Sequence, residues 1–260
     1  MSDEAGPVTP FAHGAFLPNG HNTDPPLPAD DPTIGYKLNH FMMRIRDPKQ
    51  TMKFYIDLMG MRTVFTLNVG PFTIYYLGYP QTAEHRADLP KFGLDTATNL
   101  QHTLGLLELY HVHGSEKQEP GYYSTGNTPP ALGFGHLGFT VPDVPAALKR
   151  LRDAGVEVIK DLGVCDRPSI PVSDWENERG VGVEVKGTES EIHDEYAKVF
   201  KKIAFVRDPS EIITARSKEQ QTSGAKNNHS KGQRANFFCS RGQDGYIVEL
   251  VPQNVDPKNP

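Results

Sequence analysis

A chain of 260 residues is long enough for one large domain or two small ones, with ample apolar side chains for a core. Its net charge of −5, with no basic block running along a face, argues against nucleic acid as a partner. The two cysteines, Cys165 and Cys239, are too few for a disulfide scaffold, and no window approaches the ~18 apolar residues a membrane helix needs. The opening Met-Ser-Asp-Glu lacks a basic region followed by an apolar run, so the expectation is a cytoplasmic protein without a secretory signal.

Residues 1–36 are rich in Pro, Gly, Asp and Asn, including Pro25-Pro26-Leu27-Pro28, and read as a mostly disordered arm. Residues 38–45 alternate as a strand does. Asp47-Pro48 then starts a helix as N-cap and first helical residue; Met52, Tyr55, Ile56 and Met59 recur at helical spacing and Gly60 stops it. Residues 63–68 and 72–77 form a hairpin through Gly70-Pro71, a polar loop follows, and 103–111 is a fourth strand. The order is βαβββ.

The same order restarts with a strand over 135–141. Its helix runs from the Asp143 cap through Val144, Ala147, Leu148 and Leu151 to Gly155, and a strand follows at 156–159. Beyond it, 186–201 contains a short helix, 203–209 is a core strand and 217–234 is a polar loop. Long loops in a compact domain are often lids or interaction surfaces.

The two halves are one motif written twice. His40-Phe-Met-Met-Arg-Ile-Arg-Asp47 matches His136-Leu-Gly-Phe-Thr-Val-Pro-Asp143, and Leu106-Leu107-Glu108-Leu109 matches Ile247-Val248-Glu249-Leu250. His40 and Glu108 are 68 positions apart and His136 and Glu249 are 113 apart, so the second copy carries about 45 additional residues, between Lys160 and Asp244. A glutamate on an apolar strand needs a partner, because its desolvation is costly. Two imidazoles and two carboxylates at repeat-equivalent places suit a borderline divalent ion, on which His40, Glu108, His136 and Glu249 would converge. His111 and His113 flank the end of the Glu108 strand as rim candidates. His13, His21, His85, His102, His193 and His229 lie in polar segments and read as solvated.

These residues resemble glyoxalase I, or lactoylglutathione lyase, of the vicinal-oxygen-chelate superfamily. The resemblance spans 37–253 and is most specific over 40–61, from Gly126-Asn127 to Asp143 with Gly133-Phe134-Gly135-His136, and in Asp244-Gly245-Tyr246-Ile247-Val248-Glu249-Leu250. It implies an α+β fold of two paired βαβββ modules forming a curled mixed sheet around a metal cleft. The arm would occupy 1–36 and the domain 37–254, with module one at 37–117, module two at 131–254 (insertions within 161–243) and a tail at 255–260.

The metal ligands implied are His40, Glu108, His136 and Glu249, holding one divalent ion, zinc in preference to nickel. The implied reaction converts the hemithioacetal of methylglyoxal and glutathione to S-lactoylglutathione. Glu249 would be the principal base and Glu108 a second ligand and proton-returning partner. Arg44 and Lys160 match substrate anchors of the family. Val112 and Leu132 stand where an Asn and an Arg are expected, and such lost contacts are worth ~1.5–3 kcal/mol each. Lys53, Arg150, Lys202 and Arg207 are the cations available to compensate. The alternative is a metalloenzyme of the same superfamily, an epimerase or biosynthetic tailoring enzyme, acting on another substrate. The family commonly forms a homodimer with sites shared between chains, an arrangement that the 28 positions between Glu108 and His136 allow, as they do pairing within one chain.

Overall fold

The computed structural model describes residues 11–12, 15, 26–128, 130–165, 173–178, 181, 194–208 and 245–253. Most of the expected arm, the loop at 217–234, Cys239, Asp244 and the tail at 255–260 lie outside them.

Strand β1 (His40–Arg44) leads into a helix whose start is fixed by Asp47, which accepts a hydrogen bond from the Lys49 amide at 2.9 Å. This helix, α1 (Pro48–Met52), widens into a π-helix over Lys53–Leu58, with the Met59 amide donating to the Phe54 carbonyl at 2.8 Å. Gly60, at φ +83°, ends it in a backbone conformation that a side chain disfavours. Strands β2 (Arg62–Asn68) and β3 (Phe72–Gly78) form the expected hairpin.

The expected polar loop instead holds two helices, α2 (Ala83–Ala87) and α3 (Leu89–Thr98). Their caps are of the same kind as that of α1: Thr82 accepts from the His85 amide, and Asp88 from the Lys91 amide with Pro90 in the first turn. Only Phe92, Gly93 and Thr96 of α3 are buried, too sparse a stripe to reveal helical period. Gly93 lets the helix press on β2, since a Cβ there would stand 2.9 Å from the Val64 carbonyl oxygen.

Strand β4 (Leu106–Val112) completes a sheet of order β1-β4-β3-β2, in which β1 and β4 are parallel and the other pairs antiparallel. The short hairpin of β5 (Asn127–Thr128) and β6 (Ala131–Leu132) leads to the second module. That module contains β7 (Leu137–Val141), α4 (Val144–Asp153), β8 (Val158–Lys160), α5 (Asp174–Glu178), α6 (Asp194–Lys202), β9 (Ala204–Arg207) and β10 (Ile247–Pro252). Its sheet order is β7-β10-β9-β8, the order of the first sheet strand for strand. The fold is therefore α+β, two βαβββ modules, built as two four-stranded mixed sheets. Helices α5 and α6 fall in the additional residues, between β8 and β9.

Alternation divides each sheet between two environments. Met43, Leu107 and Leu109 of the first sheet, with Ile45 just beyond β1, enter one shared core with Val206, Val248 and Leu250 of the second. Phe54 and Tyr55, and Leu148 and Leu151 of α4, fill that core. Truncating such a leucine to alanine costs about 2–5 kcal/mol. The intervening positions face the other way. There α3 covers Val64, Tyr76 and Leu106 with Phe92, while α6 covers Phe205 and Ile247 with Phe200.

A polar thread crosses the modules. The buried Asp208 carboxylate accepts from the Tyr55 hydroxyl at 3.1 Å and the Tyr246 amide at 2.8 Å, and the Tyr246 hydroxyl donates to the Arg44 carbonyl at 3.1 Å. Among the described residues no helix is long and apolar enough to cross a membrane.

Candidate metal centre

Glu108 lies opposite Met42 in the parallel β1–β4 pair, and His40 is two residues before Met42. Glu249 lies opposite Gly138 in the parallel β7–β10 pair, and His136 is two residues before Gly138. The same diagonal therefore brings each histidine to its glutamate. His40 Nε2 stands 3.3 Å from Glu108 Oε2, and His136 Nε2 stands 3.1 Å from Glu249 Oε2. The histidines are about 40% exposed, at 37% and 44%, whereas the carboxylates are 13% and 17% exposed. Each pair offers one nitrogen and one oxygen side by side in a partly dry place, a donor set that fits half of a four-coordinate N/O site.

Both pairs lie on faces turned away from the shared core, because Leu107, Leu109, Val248 and Leu250 on either side of the glutamates point into it. One chain thus brings the four sequence candidates together as two pairs, not as one set of four. Among the described residues no third His, Cys, Asp or Glu joins either pair.

The local support of each histidine differs. Asn39 commits its amide nitrogen to the carbonyls of Leu100 and Thr103, both at 2.6 Å, so its Oδ1 is the atom facing His40 Nδ1 at 2.7 Å. That contact orients the His40 ring so that Nε2 is the nitrogen set beside Glu108. At the second pair the Asn127 side chain instead donates to the Gly135 carbonyl at 2.6 Å, fixing the backbone just before His136. The hydrogen bond to Glu249 raises the pKa of His136 above the ordinary histidine value; burial opposes this and the carboxylate charge adds to it.

The glutamates also differ. Tyr76, opposite Glu108 in the β3–β4 pair, donates its hydroxyl to Glu108 Oε2 at 2.7 Å. Burial, then the bond to Glu108 and its charge, push the Tyr76 phenol far above its usual range, so it remains a donor. Opposite Glu249 stands Phe205, which has no hydroxyl. Tyr196 of α6 borders this second pair. Burial raises its phenol, with smaller contributions from Cys165 and Glu249.

Arg44 shares the His40 face, about 13 Å further along β1 at strand rise, with its guanidinium 5.8 Å from the Tyr110 ring centre. Among the described residues it is the one cation on the wall of a cavity of about 590 Å³ between β1 and the β5–β6 hairpin, a wall that also includes Phe41, Met42, Leu132 and Phe134. Val112 continues the Glu108 face of β4, so both departures from the family pattern, Val112 and Leu132, are apolar positions, each 38% exposed.

Lys160 differs from its expected role as a substrate contact. It stands on the Glu249 side of its sheet, opposite Phe205, yet is 1% exposed. Its ammonium donates to the Ile203 carbonyl at 2.6 Å and the Asp161 carbonyl at 3.2 Å, and lies 4.5 Å from the Phe200 ring centre of α6. Of the other cations, Arg150 donates to the Leu58 carbonyl and Arg207 pairs with Glu157 at 2.9 Å. His111 bonds Glu116 at 3.2 Å and His113 bonds Thr73 at 2.8 Å, so both have partners at the strand end.

The family model for the Glyoxalase/Bleomycin resistance protein/Dioxygenase superfamily matches residues 37–164, a stretch that contains His40, Glu108 and His136. A lactoylglutathione lyase of Pseudomonas aeruginosa is 38% identical over 136 residues, 50% of this chain and 72% of that protein. The chain belongs to this superfamily. A glyoxalase-superfamily chain of this kind has relatives of very different length: the lactoylglutathione lyase of Schizosaccharomyces pombe is 34% identical over 131 residues, 49% of this chain but only 40% of that protein. A crystal structure of glyoxalase I from Zea mays matches with 18% identity and a TM-score of 0.43, covering 85% of this chain and 45% of that one.

The residues that sequence reasoning missed are Asn39, Tyr76, Gly138 and Phe205. Asn39 directly precedes the first histidine, so its place was visible. The others required strand register.

Proposed function

We propose that this chain is a cytoplasmic, divalent-metal-dependent lactoylglutathione lyase that isomerises the hemithioacetal of methylglyoxal and glutathione to S-lactoylglutathione. The observation that carries the reading is the register match: in both modules a histidine meets a glutamate on the same parallel-strand diagonal. Likeness to relatives named lactoylglutathione lyase supports it.

The half-sites face away from their common core, so the reading requires a homodimer in which His40 and Glu108 of one copy meet His136 and Glu249 of another. Strands β1 and β7 are edge strands and leave both half-sites at sheet margins. A divalent ion bound there, zinc in preference to nickel, would polarise the substrate oxygens and lower the barrier to loss of the neighbouring C–H proton. The carboxylate of Glu249 takes that proton as the principal base. Glu108 serves as a ligand. Arg44 holds a carboxylate of the thiol carrier by a charge-assisted bond at the cavity wall.

A second reading has its own support. Val112 and Leu132 make apolar two positions where the family resemblance expects an amide and a guanidinium, and Lys160 lies sealed beneath Phe200. These favour a superfamily metalloenzyme with a less polar substrate. The deciding experiment adds methylglyoxal and glutathione to purified protein loaded in turn with Zn²⁺, Ni²⁺, Co²⁺ or Mn²⁺ and follows thioester absorbance in the ultraviolet. Rapid, metal-dependent thioester formation is expected. No thioester with any ion, in protein that binds the ion, would leave the second reading.

A further inference from the structure

The two half-sites match beyond their histidines and glutamates. Each glutamate has an aromatic residue directly across the antiparallel pair: Tyr76 from Glu108 and Phe205 from Glu249. Each aromatic ring lies edge-on or tilted to the histidine of its pair, with centroids 5.4 Å apart at 61° for His40–Tyr76 and 5.5 Å apart at 55° for His136–Phe205. Tyr76 and Phe205 are buried almost equally, at 8% and 9% exposure. Two-fold similarity thus extends to the position and tilt of the ring and stops at one atom, the Tyr76 hydroxyl, which bonds Glu108 Oε2 at 2.7 Å.

That atom has a consequence for movement. The Glu108 carboxylate is held on Oε2 by the Tyr76 hydroxyl, and swinging it toward a substrate carbon breaks a hydrogen bond to a charged acceptor, the stronger class. Across from Glu249 stands Phe205, and among the described residues no phenol donates to Glu249. Gly138 also leaves space beside Glu249, where Met42 stands beside Glu108. A proton carrier must reach two adjacent carbons in turn, whereas a ligand must stay still.

We propose that Tyr76 is a positioning residue that divides the work of two otherwise equivalent glutamates: its hydroxyl fixes Glu108 as a stationary ligand and leaves Glu249 as the one mobile proton carrier. The inference rests on the lyase reading for its chemistry, but the tether itself does not. The proton leaves the substrate carbon for Glu249 and returns from Glu249 to the neighbouring carbon, so no co-reactant is consumed. A shared site then works from one face only.

The test moves the hydroxyl. Zinc-loaded Phe205→Tyr, Tyr76→Phe, Glu249→Gln and Tyr76→Phe/Glu249→Gln are compared for zinc content, kcat and KM with the methylglyoxal–glutathione adduct. Tethering Glu249 in Phe205→Tyr should lower kcat about tenfold or more with KM and zinc content little changed, the scale of one hydrogen bond to a charged group. Releasing Glu108 in the double variant should raise kcat about tenfold above Glu249→Gln, a gain that a merely structural tyrosine could not produce. If either shift is missing in folded, zinc-loaded protein, the proposal is wrong; should Phe205→Tyr fail to fold, the double variant alone decides. A separate readout uses the metal-free full chain with ¹³Cζ-labelled tyrosine. Exchange of the Tyr76 hydroxyl proton with solvent should be about tenfold faster in Glu108→Ala and unchanged in Glu249→Ala. Exchange indifferent to Glu108 would overturn the tether. Slow, Glu108-dependent exchange in a protein that makes no thioester would overturn the lyase reading and leave the tether standing.

Discussion

Glu249 lies directly across from Gly138 in the β7–β10 pair, and a Cβ at Gly138 would stand 3.3 Å from Glu249 Oε2. The corresponding neighbour of Glu108 is Met42. The absence of a side chain at 138 therefore clears room for one particular carboxylate.

Gly138→Ala tests that room. An alanine in a strand is more stable than glycine by roughly 0.5–1 kcal/mol, because it has less backbone freedom to lose. The new methyl group, however, would force the Glu249 carboxylate to give by a few tenths of an ångström. The expected outcome is a thermal midpoint equal to or above that of the parent with a severalfold lower kcat. Melting curves and kinetics on the same preparation check it, and an unchanged kcat would show that the space is idle.

Asn39 should matter without touching an ion. It bonds His40 Nδ1 through an oxygen whose orientation is fixed by the carbonyls of Leu100 and Thr103. Removing such an outer partner from a metal-binding histidine typically weakens the metal about 10- to 100-fold. Asn39→Ala is expected to do so in a competitive titration against a chelator. A zinc affinity equal to that of the parent would mean that His40 either does not bind metal or needs no help.

How much of this was legible in the sequence follows from what each element depends on. Strands β1, β4, β7 and β10 were visible because alternation is a local property, and α1 and α4 because Asp47-Pro48 and Asp143 mark their starts. Alternation also gave the faces of His40 and Glu108. It could not say whether the two glutamate faces meet, which depends on how α1, α4 and both sheets share one core. Tyr76 was hidden because its partnership needs the β3–β4 register, set across 32 residues of chain that include two helices. Lys160 reads as an available cation until α6, more than 30 positions later in sequence, is placed over it with Phe200.

The buried Asp208 offers a test of how the modules are joined. It accepts from Tyr55 of the first module and from the backbone at the start of β10, three residues before Glu249. Asp208→Ala leaves that hydroxyl and amide without this acceptor in a buried place, and should cost about 3 kcal/mol or more. Tyr55→Phe removes a single donor and should cost less, about 1–2 kcal/mol. Urea midpoints give the order. Equal stability of Asp208→Ala and the parent would show that other groups hold β10.

The assembly prediction is the most demanding. Each chain carries a His40–Glu108 pair and a His136–Glu249 pair on faces directed away from a common core. If a working site joins one pair from each of two copies, His40→Ala and Glu249→Gln chains are both inactive alone yet complement when mixed. In a mixed C₂ dimer one site collects both lesions and the other collects none. Random exchange makes half of the dimers mixed, each with one restored site, so activity should recover to about a quarter of the parent value. No recovery in a mixture whose subunits have demonstrably exchanged would mean that each chain completes its site by itself, which requires the two modules to pack differently from the arrangement in which Leu107, Leu109, Val248 and Leu250 share one core.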